Sequence, residues 1–210
     1  MTERRGRPRA SGAQLGDLGA RTRILQGAAF VFADVGVRAA SVEDILKAAG
    51  ISRRTFYRFY ENKEAVMVAL YQMGTDALLG ACAVAVSEGK TARERVEGCI
   101  DAHLRNSRDF GRLVFVLGGE AHRQESSLHA RRMEVHEALA RLFGTALGDR
   151  KGPPLDPLLF RALVLAVEGV ARMILEEGDE GRAVSPESIA RGRLVMVHLV
   201  SAALGLEAAD

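Results

Sequence analysis

Residues 53–58 read Arg-Arg-Thr-Phe-Tyr-Arg, a density of guanidinium and hydroxyl groups that suits one kind of chemistry. A guanidinium fork can bond the O6 and N7 edge of guanine bidentately, and Thr and Tyr hydroxyls suit phosphate oxygens or base edges. Phe56 and Phe59, three apart, turn to one side of a helix. Arg53, Arg54, Thr55, Tyr57 and Arg58 are left for the outer side. Side chains reading a groove must stand on a short rigid element, and the flanking residues supply one. Ser41 and Asp44 have the spacing of a capping box, and Val42, Ile45, Leu46 and Ala49 form an apolar stripe behind it. Gly50 supplies a left-handed stop, Ile51 plugs the turn and Ser52 caps the next helix. Asn62 caps a further helix whose first turn holds Lys63. This is the spacing of a helix-turn-helix, and it implies binding to double-stranded DNA. A solvated helical hairpin with a chance basic face would be plainer, but it does not explain why caps, turn and outward residues agree.

Charge is divided in the same sense. Residues 1–63 carry 12 Lys and Arg against 6 Asp and Glu, whereas residues 64–210 carry 17 against 21. A basic head on a mildly acidic body suits a protein in which only the head meets DNA. Residues 1–18 are polar and rich in Gly and Arg, and are expected to form a flexible basic arm. Within it, Arg5-Gly6-Arg7-Pro8-Arg9 resembles the core of an AT-hook, in which Arg5 and Arg7 would lie in a narrow A·T minor groove. A basic tail making nonspecific phosphate contacts is the competing possibility.

The remainder reads as helix throughout. A first helix is expected from about Ala20 to Val35, ended by Gly36. A fourth follows Asn62, with a possible break near Gly74 or Gly80. Thr91 and Glu94 form a second capping box, and Asp156-Pro157 and Ser185-Pro186 each open a long apolar helix. No alternating strand pattern occurs. Cys82 and Cys99 lack metal-ligand spacing and are expected as buried thiols. No apolar h-region follows the Arg-rich start, and no apolar run is expected to span a membrane, so a cytoplasmic protein without cofactor or metal is expected.

Residues 20–70 resemble the DNA-binding domain of the TetR family of transcriptional regulators. The resemblance rests on Ala28-Ala29-Phe30 with Ala33 and Gly36, Ser41-Val42 with Asp44-Ile45, Ala49-Gly50-Ile51-Ser52, Thr55-Phe56-Tyr57 and Asn62-Lys63-Glu64. It implies an all-α fold, a three-helix helix-turn-helix domain over 19–66 followed by an α-helical ligand-binding and dimerisation domain over 67–210. It also implies a repressor that leaves an inverted-repeat operator when a small-molecule effector binds. By the same resemblance Ser41 touches phosphate, Arg53, Arg54 and Thr55 read bases, Tyr57 meets phosphate or a base edge, and Lys63 grips phosphate. Ser52 and Arg58 share that face. Leu46 and Tyr60 depart from the usual Ala and Phe, and the Tyr60 hydroxyl would need a partner such as phosphate.

In the body, the last helix is apolar almost all round from Leu194 to Leu204, which calls for cover on every side. A homodimer through the last two helices answers this, with Leu163, Ala166 and Val170 on one and Met196, Leu199, Val200 and Ala203 on the other as interface residues. A monomer with its last helix in the core would answer it too. For a ligand pocket the candidates are His103, Phe110, Phe115, Glu120, Met133, His136, Phe143 and Met173, enclosing a small, largely apolar molecule. Core or rim roles compete for each histidine. Glu168 and Arg172, four apart, would pair on a helix surface or mark a charged spot in the dimer seam. An enzyme is disfavoured, because no phosphate loop, paired metal ligands or activated nucleophile is recognisable. A nonspecific architectural DNA binder and an activator of the same fold compete with the repressor.

Overall fold

The computed structural model describes residues 12–148, 154–177 and 184–206. Among these the chain is all α, with no strand. The helices are α1 (Gly12–Ala39), α2 (Val42–Ala49), α3 (Arg53–Phe59), α4 (Lys63–Glu88), α5 (Ala92–Phe110), α6 (Arg112–Ala121), α7 (His129–Leu147), α8 (Pro157–Glu177) and α9 (Pro186–Leu204). Two compact units meet along the sequence between Leu70 and Tyr71, inside α4.

In the N-terminal unit α1 starts at Gly12 rather than near Ala20, so the last residues of the expected flexible arm are helical. Gly36 departs from helical geometry at φ 79°, ψ 162°, a break where the sequence places a stop. Ile24, Ala28, Phe32, Ile45 and Phe56 are sealed from solvent and form the centre of this unit. Gly27 lets α1 and α2 meet backbone to side: a Cβ there would lie 2.8 Å from the amide nitrogen and 2.9 Å from the Cβ of Ala49. Neither atom can swing aside. Gly27→Ala is therefore expected to destabilise this unit by about 1–3 kcal/mol through overpacking, as read by urea unfolding.

The helix α4 runs unbroken through Gly74 and Gly80. A Cβ at Gly74 would meet the Phe110 ring at an ordinary van der Waals distance of 3.7 Å, and one at Gly80 would meet open space. By length and composition α4 would be apolar enough to cross a membrane, contrary to the expectation from sequence. Its Val66, Met67, Leu70, Leu78 and Cys82 are instead buried within the two units.

The C-terminal unit is built around Val96 and Ile100 of α5, Phe143 and Ala146 of α7, Leu163, Val167 and Ile174 of α8, and Met196, Val200 and Leu204 of α9. Arg193 of α9 ties to Asp101 at 2.6 Å and to Glu97 at 3.2 Å on α5. This core corrects the expected interface. Leu163, Val170, Met196 and Val200 are buried within their own subunit and cannot face another. The strongest apolar stripe of each helix went to the intramolecular core. A second one, Leu158, Leu165 and Met173 on α8 with Leu194, Val195 and Leu199 on α9, is exposed. Of the expected interface residues, Leu199 and Ala203 are exposed and Ala166 is half-buried.

Candidate functional site

The basic face of the N-terminal unit is held by two caps in series. The Ser41 hydroxyl accepts from the Asp44 amide at 3.2 Å and donates to its carboxylate at 2.6 Å, while the Ser41 amide donates to the same oxygen at 2.9 Å. The hydroxyl bond, then the amide bond, hold the Asp44 carboxyl below its ordinary range. Gly50 closes α2 in the left-handed region at φ 61°, ψ 42°, its amide donating to Leu46 and Lys47 carbonyls. Two residues on, the Ser52 hydroxyl accepts from the Thr55 amide at 3.1 Å and lies 2.9 Å from the Thr55 hydroxyl, which fixes the start of α3. Phe56 is buried beneath α3 and meets the ring of Tyr57 edge-on at 5.3 Å.

What remains outward is close to the expected set. Arg54 is exposed and finds no protein partner among the described residues. Tyr57 is 48% exposed. Arg53 pairs with Glu43 at 2.5 Å and Arg58 with Asp17 at 2.6 Å, both in solvent. Exposed pairs of this kind are worth about 0–1 kcal/mol, so either guanidinium is free to exchange its carboxylate for phosphate. Arg5 and Arg7 lie outside the described residues.

Two expected contacts are corrected. Tyr60 is buried, and its hydroxyl accepts from Arg21 Nε at 3.2 Å, with the Arg21 guanidinium 5.9 Å from its ring. The partner its hydroxyl required is a side chain of α1, not phosphate. Lys63 donates to the carbonyls of Val37 at 2.9 Å, Arg38 at 3.2 Å and Ala40 at 2.7 Å. All three ammonium protons are engaged, so Lys63 fastens the end of α1 to the start of α4 instead of standing open to DNA.

In the C-terminal unit α4, α5 and α7, with His122 just past the end of α6, bring ionisable groups to Glu168 of α8. Arg132 of α7 donates to its Oε2 at 2.9 Å, and His136 Nε2 lies 3.2 Å from the same oxygen. His122 accepts from Arg132 through Nε2 at 3.0 Å while its Nδ1 lies 2.7 Å from the Gly118 carbonyl, which fits a neutral ring protonated on Nδ1. Burial alone would raise the Glu168 carboxyl, but the bonds from His136 and Arg132 and the charge of Arg132 outweigh it and bring it down to about 2. His103 of α5 stands near enough to sense Glu168 and His136, and desolvation lowers its basicity. Tyr71 of α4 is pushed up to about 12, by burial first and by the Glu168 charge second.

Glu168 thus pairs across helices rather than with Arg172, which bonds Glu176 at 3.1 Å and lies 5.1 Å from the Phe115 ring centroid. His103 and His136 belong to this cluster, but most of their expected companions do not. Phe143 is part of the apolar core. Met133 and Met173 are 45% and 57% exposed and enclose nothing. Phe110 packs at Gly74, and Glu120 lies 3.7 Å from Arg123. The pattern of the sequence does not single out Tyr71, Arg132 and Glu168 as pocket residues. Arg132 does carry a signal: it sits four residues from both Leu128 and His136, a charged residue on the inward stripe of its helix. No group of His, Cys, Asp and Glu suited to a metal ion occurs among the described residues.

Residues 24–70 match the model of bacterial regulatory proteins of the tetR family. The HTH-type transcriptional repressor KstR2 of Rhodococcus jostii is 34% identical over 85 residues, 40% of this chain and 42% of that protein. An uncharacterised HTH-type transcriptional regulator of Mycobacterium tuberculosis is 32% identical over 145 residues, 66% of this chain and 65% of that protein. The chain therefore spans between about two fifths and two thirds of the length of these curated relatives. Among solved structures, the regulator FadR of Bacillus subtilis in complex with stearoyl-CoA superimposes with a TM-score of 0.69 at 18% identity, over 84% of this chain and 97% of that one.

Proposed function

From the premise that this chain belongs to the TetR family of transcriptional regulators, we propose that it is a cytoplasmic, dimeric repressor that binds an inverted-repeat operator and leaves it when an effector occupies the C-terminal unit. The observation that carries this reading is α3, a helix capped by Ser52 that presents Arg53, Arg54, Tyr57 and Arg58 outward from a buried Phe56. A helix so anchored can enter a major groove, and two such helices related by a twofold axis read two half-sites. The relatives support a repressor, since KstR2 carries that name. The effector is largely apolar, a class in keeping with the stearoyl-CoA held by the Bacillus subtilis regulator of like fold. Arg5 and Arg7 would extend the contact into the flanking minor groove.

The dimer forms through the outward stripes of α8 and α9. Together Leu158, Leu165, Met173, Leu194, Val195 and Leu199 present an apolar face larger than scattered surface residues require. Leu165→Asp with Leu199→Asp is expected to give monomers in sedimentation equilibrium with unchanged helix content. Operator affinity should fall by at least two orders of magnitude, since each half-site would then be bound alone. A double variant that stayed dimeric and bound normally would place the interface elsewhere.

A further inference from the structure

The cluster around Glu168 holds one ion pair with His136 beside it, yet it leaves hydrogen bonds unmade. Arg132 and Glu168 form one ion pair, and each charge compensates the other. Their polar atoms are not all used. Arg132 Nε is buried without a hydrogen-bond partner. Glu168 receives Arg132 and His136 on Oε2, while Oε1 has only His122 at 4.0 Å, beyond hydrogen-bond reach. Among the described residues, neither the half-buried Tyr71 hydroxyl nor the half-buried His103 ring has a side-chain bond. A buried guanidinium donor left open is destabilising, and a ligand accepting from it would relieve that cost.

We propose that Tyr71, His103, Arg132 and Glu168 anchor the head of the effector, and that this head is an uncharged group able both to donate and to accept, a hydroxyl or an amide on an otherwise apolar molecule. The assignment rests on reading the C-terminal unit as effector-binding, and it narrows the effector by charge. A carboxylate entering here meets the ionised Glu168 while Arg132 is already neutralised, so it is desolvated against a like charge. An amine meets Arg132 with Glu168 already paired. An uncharged hydroxyl or amide meets neither penalty: it can donate to Glu168 Oε1 and accept from Arg132 Nε, Tyr71 or His103. His103, kept neutral by desolvation, offers one donor and one acceptor and adds no charge. Recognition of a neutral polar group by fixed buried donors and acceptors is the arrangement that discriminates most sharply between ligands.

The test is isothermal titration of the full chain at pH 7 with four ten-carbon probes, 1-decanol, decanamide, decanoate and decylamine, which share a tail and differ in head. Decanol and decanamide are expected to bind at least tenfold tighter than decanoate and decylamine. Tyr71→Phe, which removes one hydroxyl and leaves the packing, is expected to weaken the alcohol and the amide about three- to tenfold. Equal binding of all four, binding of none, or preference for either charged head overturns the assignment, as does an unchanged affinity in Tyr71→Phe. Operator binding is read separately on the ligand-free protein. Loss of sequence-specific binding there would sink the regulator reading alone, whatever the head-group preference.

Discussion

Replacing Arg54 by Ala weakens operator binding by about 1–3 kcal/mol per half-site and relaxes preference at a single base position. Arg54 is chosen over its neighbours because of what each guanidinium must give up. Arg53 holds Glu43 and Arg58 holds Asp17 in the free protein, so part of what either gains on DNA offsets a lost ion pair. Arg54 gives up only water. Glu43→Gln should have the opposite sign, freeing Arg53 and removing a negative charge beside the DNA, and should tighten binding modestly. The check is a fluorescence-anisotropy titration at fixed salt on operator duplexes carrying each base in turn at each half-site position. Uniform weakening across all sequences would make Arg54 a phosphate contact, with a salt slope reduced by about one unit per site.

Glu168→Gln destabilises the C-terminal unit at pH 7 by about 2–3 kcal/mol, because Arg132 is left buried without its counter-charge. The same residue gives the fold a pH dependence of known sign. The folded Glu168 carboxyl titrates at about 2, below its ordinary value of 4.5. Its contribution is therefore complete above about pH 4.5 and is lost as pH falls from there toward 2. Urea unfolding followed at pH 7 and pH 3 should show the wild-type chain losing more stability than Glu168→Gln across that interval, with the two converging at the acid end. Parallel losses would mean that the ion pair does not govern this window.

The head is legible from sequence because its signals are local. Capping boxes, a left-handed glycine and an i, i+3 Phe pair are written within a few residues of one another, and each reappears as geometry at Ser41, Gly50, Ser52 and Phe56. Tyr60 and Lys63 escape such a reading because their partners lie far away in sequence, on or just beyond α1. No pattern near residue 60 names Arg21 or the carbonyl of Ala40. The body is hard to read for a different reason. Two apolar stripes share α8, and periodicity alone does not say which one a helix keeps for its own core, so Leu163 and Val170 are expected outward and prove buried. Glu168 lies 36 residues from Arg132, and only packing of α7 on α8 brings them together. Its i, i+4 neighbour Arg172 is nearer in sequence and bonds Glu176 instead.

The most direct test of a dimer reading two half-sites is selection of bound sequences from random duplex DNA, with the stoichiometry of the winning complex measured by sedimentation. The structure of α3 and the outward stripes of α8 and α9 predict an inverted repeat, its half-sites about one helical turn apart, occupied by a dimer. Inserting half a turn between the half-sites should then abolish high-affinity binding. Enrichment of a single asymmetric motif bound by one chain, or of no motif at all, would contradict the account.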